Sequence, residues 1–295
     1  MSTAAIATEP VALWEAGATL GEGVLWDADR GHVWFVDIKG RRLHRCAPDG
    51  SDRRSWDAPG QISFAVRASD GSLVVSLDDG LYRFDDATGT YSPFVKVEAD
   101  LPGNRFNDGH VDPAGRLWFG SMDDSEAEPT GVLYRFDGHQ VARMDEGYVI
   151  TNGPAVSPDG RTLYHTDTLD KRVYAFDLAP DGSLSNRRPF AGITDGGHPD
   201  GMAIDAEGHV WIAVFGGWRI ERRDPAGNKV GEVRFPCANI TKLAFAGDDL
   251  RTVYATSARK GLSPEELAAQ PLAGALFTFR AEVAGLPHHV LRLQE

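Results

Sequence analysis

The chain has 295 residues, 42% of them hydrophobic and 25% charged, which is the composition of a folded globular protein and not of a disordered one. Thirty Lys and Arg against 43 Asp and Glu leave a formal charge of −13, so nucleic-acid phosphates and anionic membrane surfaces are repelled on average. Two distant cysteines, Cys46 and Cys237, exclude a disulfide framework or a thiolate metal cluster, and no apolar run of about 18 residues offers a membrane span. The N-terminus lacks the basic-then-apolar pattern of a secretory signal, and the expected setting is the cytoplasm.

One phrase recurs along the chain: a glycine turn, a short apolar strand, a polar turn, and a second strand ending near an aromatic. It reads GHVWFVDIKGRRLHRC from Gly31, GSLVVSLDDGLYRFD from Gly71, and GRLWFGSM followed by GVLYRFD from Gly115. It continues as GRTLYHTDTLDKRVYAFD from Gly160 and GHVWIAVFGGWRIERRD from Gly208, with a degenerate copy from Asp249. The intervals between these anchors are 40, 44, 45, 48 and 41 residues, the spacing of propeller blades. Within each copy the apolar residues alternate with period two, as strands require. One short helix is predicted over 263–270, with Ser263 as N-cap, Pro264 at its first turn and Glu266 closing a capping box. The chain therefore predicts an all-β, six-bladed β-propeller filling residues 1–295 as one domain. A pair of β-sandwiches explains the strands but not their regular spacing. Ring closure is expected from the two segments left over, Pro10–Ala18 and His289–Leu293, paired with each other.

In a propeller the innermost strands surround a central channel. The frames EGVLWDADRG, NDGHVDPAG, NGPAVSPDG and DGMAIDAEG align these strands, and one position read around the ring gives Glu22, Ser63, Asn107, Asn152, Asp200 and Thr241. None is hydrophobic, and four carry carboxylate or amide oxygens, the hard ligands that divalent cations take. Two carboxylates facing each other repel unless a cation sits between them. The candidates are Ca²⁺, Mg²⁺, Mn²⁺, Fe²⁺ or Zn²⁺. Asn-Gly and Asp-Gly are also common turn dipeptides.

The stretches Leu20-Gly21-Glu22-Gly23, Arg105-Phe106-Asn107-Asp108-Gly109, Asn152-Gly153 and His198-Pro199-Asp200-Gly201 resemble, in order, the motifs of the gluconolactonase, regucalcin and luciferin-regenerating-enzyme family. Within it the chain is most similar to bacterial sugar lactonases acting on xylonolactone. The resemblance implies a propeller with one divalent metal held by Glu22, Asn152 and Asp200. It implies Arg105 and Asn107 as contacts to a small-molecule sugar lactone, and Asp200 as the catalytic base. An acidic substrate contact is implied just after Met122, where the register leaves Asp123, Asp124 and Glu126 open and Asp124 is the first choice. Lys260 also belongs to the family-like pattern, with no physical role readable from the sequence.

The expected reaction is hydrolysis of the lactone to an aldonic acid. A metal-bound carboxylate is a weak base, so the sequence leaves open whether Asp200 or a metal-activated water carries the attack. Arg105 has a second reading as a surface arginine paired with Asp108. Three rival functions remain: a phosphotriesterase or aryl-ester hydrolase with an apolar pocket near Phe215 and Trp218, a calcium-binding regulator, and a non-catalytic scaffold. The last lacks a repeated Gly-His to Trp-Asp register. His165, His288 and His289 read as satisfied or solvated histidines. The sequence contains no nucleophile elbow, HExxH or P-loop.

Overall fold

The anchor glycines Gly31, Gly71, Gly115, Gly160 and Gly208 all take positive φ, between 63° and 83°. Each lets a hairpin turn tightly from an innermost strand into the next strand out. The computed structural model describes residues 6–294, in which these hairpins build six antiparallel sheets of four strands each. After β1 (Val11–Trp14), blade 1 contains β2 (Gly21–Asp27), β3 (His32–Asp37), β4 (Arg42–Cys46) and β5 (Arg54–Asp57). Blade 2 contains β6 (Ala65–Arg67), β7 (Leu73–Leu77), β8 (Gly80–Asp85) and β9 (Thr90–Lys96). Blade 3 contains β10 (Asn104–Val111), β11 (Leu117–Asp123), β12 (Gly131–Phe136) and β13 (Val141–Tyr148). Blade 4 contains β14 (Thr151–Val156), β15 (Thr162–Asp167), β16 (Arg172–Leu178) and β17 (Leu184–Gly192). Blade 5 contains β18 (His198–Ile204), β19 (Val210–Phe215), β20 (Arg219–Arg223) and β21 (Lys229–Arg234). Blade 6 contains β22 (Ile240–Ala246), β23 (Thr252–Ser257) and β24 (Leu276–Arg280), and β1 completes it. The architecture is the six-bladed propeller that the repeat spacing predicts.

Neighbouring blades bury their facing sheets against each other. Leu25, Trp34 and Val36 of blade 1 meet Ala65, Leu73 and Val75 of blade 2, and Trp118 and Leu133 of blade 3 meet Leu163 and Phe176 of blade 4. Trp34, Trp118 and Trp211 sit on the second strands of alternate blades with no solvent exposure, and truncating such a side chain costs about 3–5 kcal/mol. Two of them are also hydrogen-bonded: Trp118 Nε1 donates to Asp112 at 2.8 Å and Trp211 Nε1 to Asp205 at 2.9 Å. In blade 1, Asp27 and Trp34 are one residue further apart in sequence than these pairs, and the Trp34 N–H has no partner.

The closure differs from the expected pairing. β1 pairs antiparallel with β24, Val11 opposite Thr278, so the N-terminal strand does close the ring, but not against His289–Leu293. That last segment crosses the opposite face. Leu286 N–H donates to the Ile204 carbonyl, Leu291 bonds Arg67 and Ser69, and Arg292 N–H donates to the Gly115 carbonyl. The tail thus straps the lower end of the channel from blade 5 to blades 2 and 3. Once β24 has its partner in β1, the tail lies under the disc instead of at its rim. The helix α1 (Pro264–Ala269) carries the predicted capping box, with Ser263 Oγ accepting from the Glu266 amide and Glu266 accepting from the Ser263 amide. Among the described residues no helix is long and apolar enough to cross a membrane, and Cys46 and Cys237 are buried free thiols.

Candidate active site at the channel hub

Five of the six innermost strands slip register where the hub residue sits. The breaks fall between Glu22 and Leu25, Phe106 and Gly109, Asn152 and Ala155, Pro199 and Met202, and Ile240 and Leu243. A bulge adds a residue to one strand and re-aims its side chain. Here it accounts for the glycines that follow the hub residues: Gly23 and Gly153 take φ of 56° and 67°. At Gly201 a Cβ would lie 2.3 Å from Lys242 Cδ and 2.8 Å from the Thr241 carbonyl oxygen. The Asn-Gly and Asp-Gly dipeptides at the hub are therefore strand bulges, not turns.

All six hub residues are at most 5% exposed. Two of them act as staples between blades. Ser63 Oγ donates to the Phe106 carbonyl at 2.6 Å, and Thr241 Oγ1 donates to the Gly21 carbonyl at 2.6 Å. The two amides are chained: Asn107 Nδ2 donates to Asn152 Oδ1 at 2.9 Å and to the Thr151 carbonyl at 2.7 Å, while Asn107 Oδ1 accepts from Arg105 Nη1 at 2.7 Å. Asn152 Nδ2 donates to Thr168 Oγ1, which fixes the amide so that its oxygen turns away from that side. Asn107 thus holds Arg105 and Asn152 together, and Asn152 Oδ1 keeps a lone pair for a further partner.

The carboxylates are short of donors. Glu22 accepts from the Gly23 amide at 3.1 Å, and Asp200 Oδ1 is buried with no hydrogen-bond partner at all. Burial, then the charge of Asp108, pushes Glu22 up to about 8. Burial, then Glu22 and Asp108, pushes Asp200 well above the usual carboxylate range. Buried acceptors of like sign are costly unless a positive partner joins them. The described residues hold no cluster of three His, Cys, Asp or Glu side chains disposed to take a metal. The hub instead combines two carboxylates with an amide oxygen, and its orphaned Asp200 oxygen and hard donor set fit a divalent cation.

Above the hub, Arg105 is 2% exposed and donates from Nε to Asp124 Oδ1 at 2.8 Å. Its partner is Asp124 and not Asp108, which overturns the surface-pair reading. Asp124 also accepts from Lys39 Nζ at 2.5 Å and Gln61 Nε2 at 3.2 Å. Burial pushes its carboxyl up, but the Lys39 hydrogen bond and the Arg105 charge outweigh that and hold it below the usual range. The three acids open in the sequence separate by partner. Asp123 binds its own loop, accepting from Ser125, Ala127 and Glu128, while Asp124 faces Arg105 and Glu126 pairs with Lys260. Lys260 thus crosses from blade 6 to the blade 3 loop.

One pair escaped the sequence reading. Lys242 Nζ donates to Asp108 Oδ2 at 2.6 Å, both side chains almost fully buried. The signal was present as a lysine inside the apolar strand ITKLAFA, a placement that needs a partner. Below it lies a cavity of about 70 Å³ lined by Asp108, His110, Lys242, Phe245, His288 and His289, among others, roomy enough for water. His165 lies elsewhere, buried between blades 3 and 4 edge-on to Tyr148, with both ring nitrogens unpartnered. It is therefore neither satisfied nor solvated, and burial pulls it down to about 3. Phe215 packs with the blade 1–blade 2 cluster and Trp218 is 39% exposed; neither lines the channel cavity.

The chain is 38% identical to an L-arabinolactonase of Azospirillum brasilense, over 91% of this chain and 90% of that one. It is 36% identical to a 6-deoxy-6-sulfogluconolactonase of Pseudomonas putida, over 91% and 93%. The crystal structure of a calcium-binding protein, regucalcin, from Agrobacterium tumefaciens superposes with a TM-score of 0.93 at 32% identity, covering 99% of this chain and 100% of that one. Residues 20–259 match the model of the SMP-30/gluconolactonase/LRE-like region, a span that runs from the residue before the Glu22 strand to just past β23 and takes in all six hub residues, and the chain belongs to that family.

Proposed function

We propose that this protein hydrolyses a sugar lactone to its aldonic acid, with xylonolactone or a related pentono- or hexonolactone as substrate. The observation that carries the reading is the orphaned, buried Asp200 oxygen in a hub where Glu22 acts on Asp200 and Asn107 joins Asn152 to the Arg105–Asp124 pair. The lactonase names of the two relatives support the substrate class.

Glu22, Asn152 and Asp200 would hold one divalent cation. When bound, it supplies Lewis-acid stabilisation of the negative charge that develops on the lactone carbonyl oxygen. The chain's own groups do the rest. The Arg105 fork, held flat by Asp124 and Asn107, offers its donors to ring or exocyclic oxygens. Asp124 accepts from sugar hydroxyls. Asp200 takes the proton from the attacking water as the new C–O bond forms, the ring C–O bond breaks, and Asp200 returns that proton to the released alkoxide, which becomes the hydroxyl of the acid. Burial and its acidic neighbours raise the proton affinity of Asp200 in the cation-free hub, and a held cation lowers it again.

A panel of pentono- and hexonolactones assayed with protein of known metal content tests the proposal. Glu22→Gln and Asp200→Ala abolish turnover while leaving the fold intact; full activity in either refutes the ligand set. The similarity to the calcium-binding Agrobacterium regucalcin favours a second reading, a calcium-binding protein without hydrolysis. Ca²⁺ uptake with no turnover of any lactone in the panel selects it.

A further inference from the structure

The position one residue beyond the hub reads, around the six blades, Gly23, Phe64, Asp108, Gly153, Gly201 and Lys242. Three are glycines at bulges, one is an aromatic, and the remaining two are an acid and a base. The innermost strands contact one another in the closed order β2, β6, β10, β14, β18, β22 and back to β2. Asp108 on β10 and Lys242 on β22 are therefore three blades apart, and their 2.6 Å salt bridge spans a diameter of the channel. It lies between the hub and the lower cavity, which both residues line. The lysine stem runs over Gly201, where any Cβ would strike Lys242 Cδ, so the residue following Asp200 is shaped to admit it.

Three carboxylates, those of Glu22, Asp108 and Asp200, act on one another here. Arg105 is engaged by Asp124 and Asn107, whereas Lys242 is bonded directly to a member of the group, Asp108. We propose that Lys242, pinned by Asp108 across the channel, is an internal counter-cation of the hub. It offsets part of the carboxylate charge when no divalent ion is held, and it weakens the hub's grip on one that is. The proposal rests on the reading of Glu22, Asn152 and Asp200 as a cation site. It is a charge argument, so it predicts a sign pattern that a merely structural role does not. Removing the lysine makes the hub more negative, removing Asp108 makes it less so, and removing both restores the original sum.

Calorimetric titration of Ca²⁺ into EDTA-stripped protein reads this directly, with the thermal midpoint of each stripped variant as a check on folding. Lys242→Met tightens Ca²⁺ binding by about tenfold or more, and Asp108→Asn weakens it by about tenfold, as expected for one unit charge at close range. The double variant returns to within about threefold of the original, the residue expected from imperfect additivity between contacting sites. Single variants that shift in the same direction, or a Lys242→Met affinity within about twofold of the parent, overturn the counter-cation role. Should Lys242→Met fail to fold when stripped, Asp108→Asn and the double variant decide. Weak binding in the first and restored binding in the second sustain the proposal, and equal binding refutes it. If the parent protein takes up neither Ca²⁺ nor Mn²⁺, the cation site itself is refuted and this role falls with it, an outcome distinct from the others.

Discussion

Asp200 stands near the start of β18 and Asp205 just past its end, both buried, in opposite surroundings. Asp205 is met by donors: the amides of Glu207 and His209 at 3.0 and 2.9 Å, Trp211 Nε1 at 2.9 Å and Arg222 Nε at 2.8 Å. Asp112 repeats the arrangement in blade 3 with Ala114, Arg116 and Trp118. Asp200 is met by acceptors, with one oxygen unpartnered and Glu22 and Asp108 as neighbours. A buried carboxylate ringed by donors stabilises the fold, whereas one ringed by like charge destabilises it until a cation arrives. Burial alone does not separate structure from function in this channel; the partners do.

The contrast breaks most visibly at Asp205. Asp205→Ala strands the Trp211 N–H and the Arg222 Nε–H, leaving Arg222 only its Glu207 partner, and stability falls by about 3 kcal/mol in denaturant titration, the low end of the usual result of removing one partner of a buried charged network. Asp200→Asn has the opposite profile. Lactone hydrolysis falls at least about 100-fold, roughly 2.7 kcal/mol of barrier, while the midpoint of the metal-stripped protein holds or rises because a repulsion has been removed. Equal destabilisation by the two substitutions defeats the comparison.

How far the sequence reveals this division depends on what each feature needs. The repeat and the hub position are local patterns, legible from glycine anchors and strand alternation alone. The capping box at Ser263 and Glu266 is equally local. The donor shell of Asp205 has a readable trace in the DPAGRLW and DAEGHVW frames, where tryptophan follows aspartate at a fixed offset. The Asp108–Lys242 bar joins residues 134 positions apart, and only the blade count brings them face to face. The closure is hidden from the sequence for a related reason. Two leftover ends suggest each other as partners, and no local signal tells that β24 accepts the N-terminal strand while the tail turns under the disc.

The unsatisfied end of the comparison also titrates. Glu22 stands at about 8 in the folded protein against an ordinary 4.5. The native state therefore keeps a proton that the unfolded chain has already released, and its stabilising effect is lost as pH rises toward and through 8. His44 and His165, pulled by burial to about 4 and about 3, act in the opposite direction in more acidic solution, where the unfolded imidazole, with a pKa near ~6.5, protonates. The clean window is therefore about pH 7 to 8. There the stripped protein loses up to ~1.4 kcal/mol per pH unit for each such carboxyl, read as a falling thermal midpoint. Glu22→Gln flattens the slope, as does saturating Ca²⁺. A stripped parent with no slope in that window removes the electrostatic basis for a cation at the hub.

The smallest effect tests whether hub position alone confers a functional role. Ser63 and Thr241 occupy the same ring as Glu22 and Asp200, yet each spends its hydroxyl on the carbonyl of a neighbouring blade. Thr241→Val keeps the shape of the side chain and deletes the donor to Gly21, and Ser63→Ala deletes the donor to Phe106. Ser63→Ala loses about 1 kcal/mol of stability, the net worth of one neutral hydrogen bond, and Thr241→Val about 1–2 kcal/mol because its hydroxyl also bonds Thr256 Oγ1 at 2.9 Å, with Ca²⁺ affinity and lactone kcat/KM unchanged. Because the Gly21 carbonyl adjoins Glu22 in the chain, Thr241→Val is the stricter case. A drop in cation affinity larger than its loss of stability would mean that the blade 6–blade 1 staple sets the Glu22 side chain in place, and the ring would then act as one unit instead of dividing into staples and ligands.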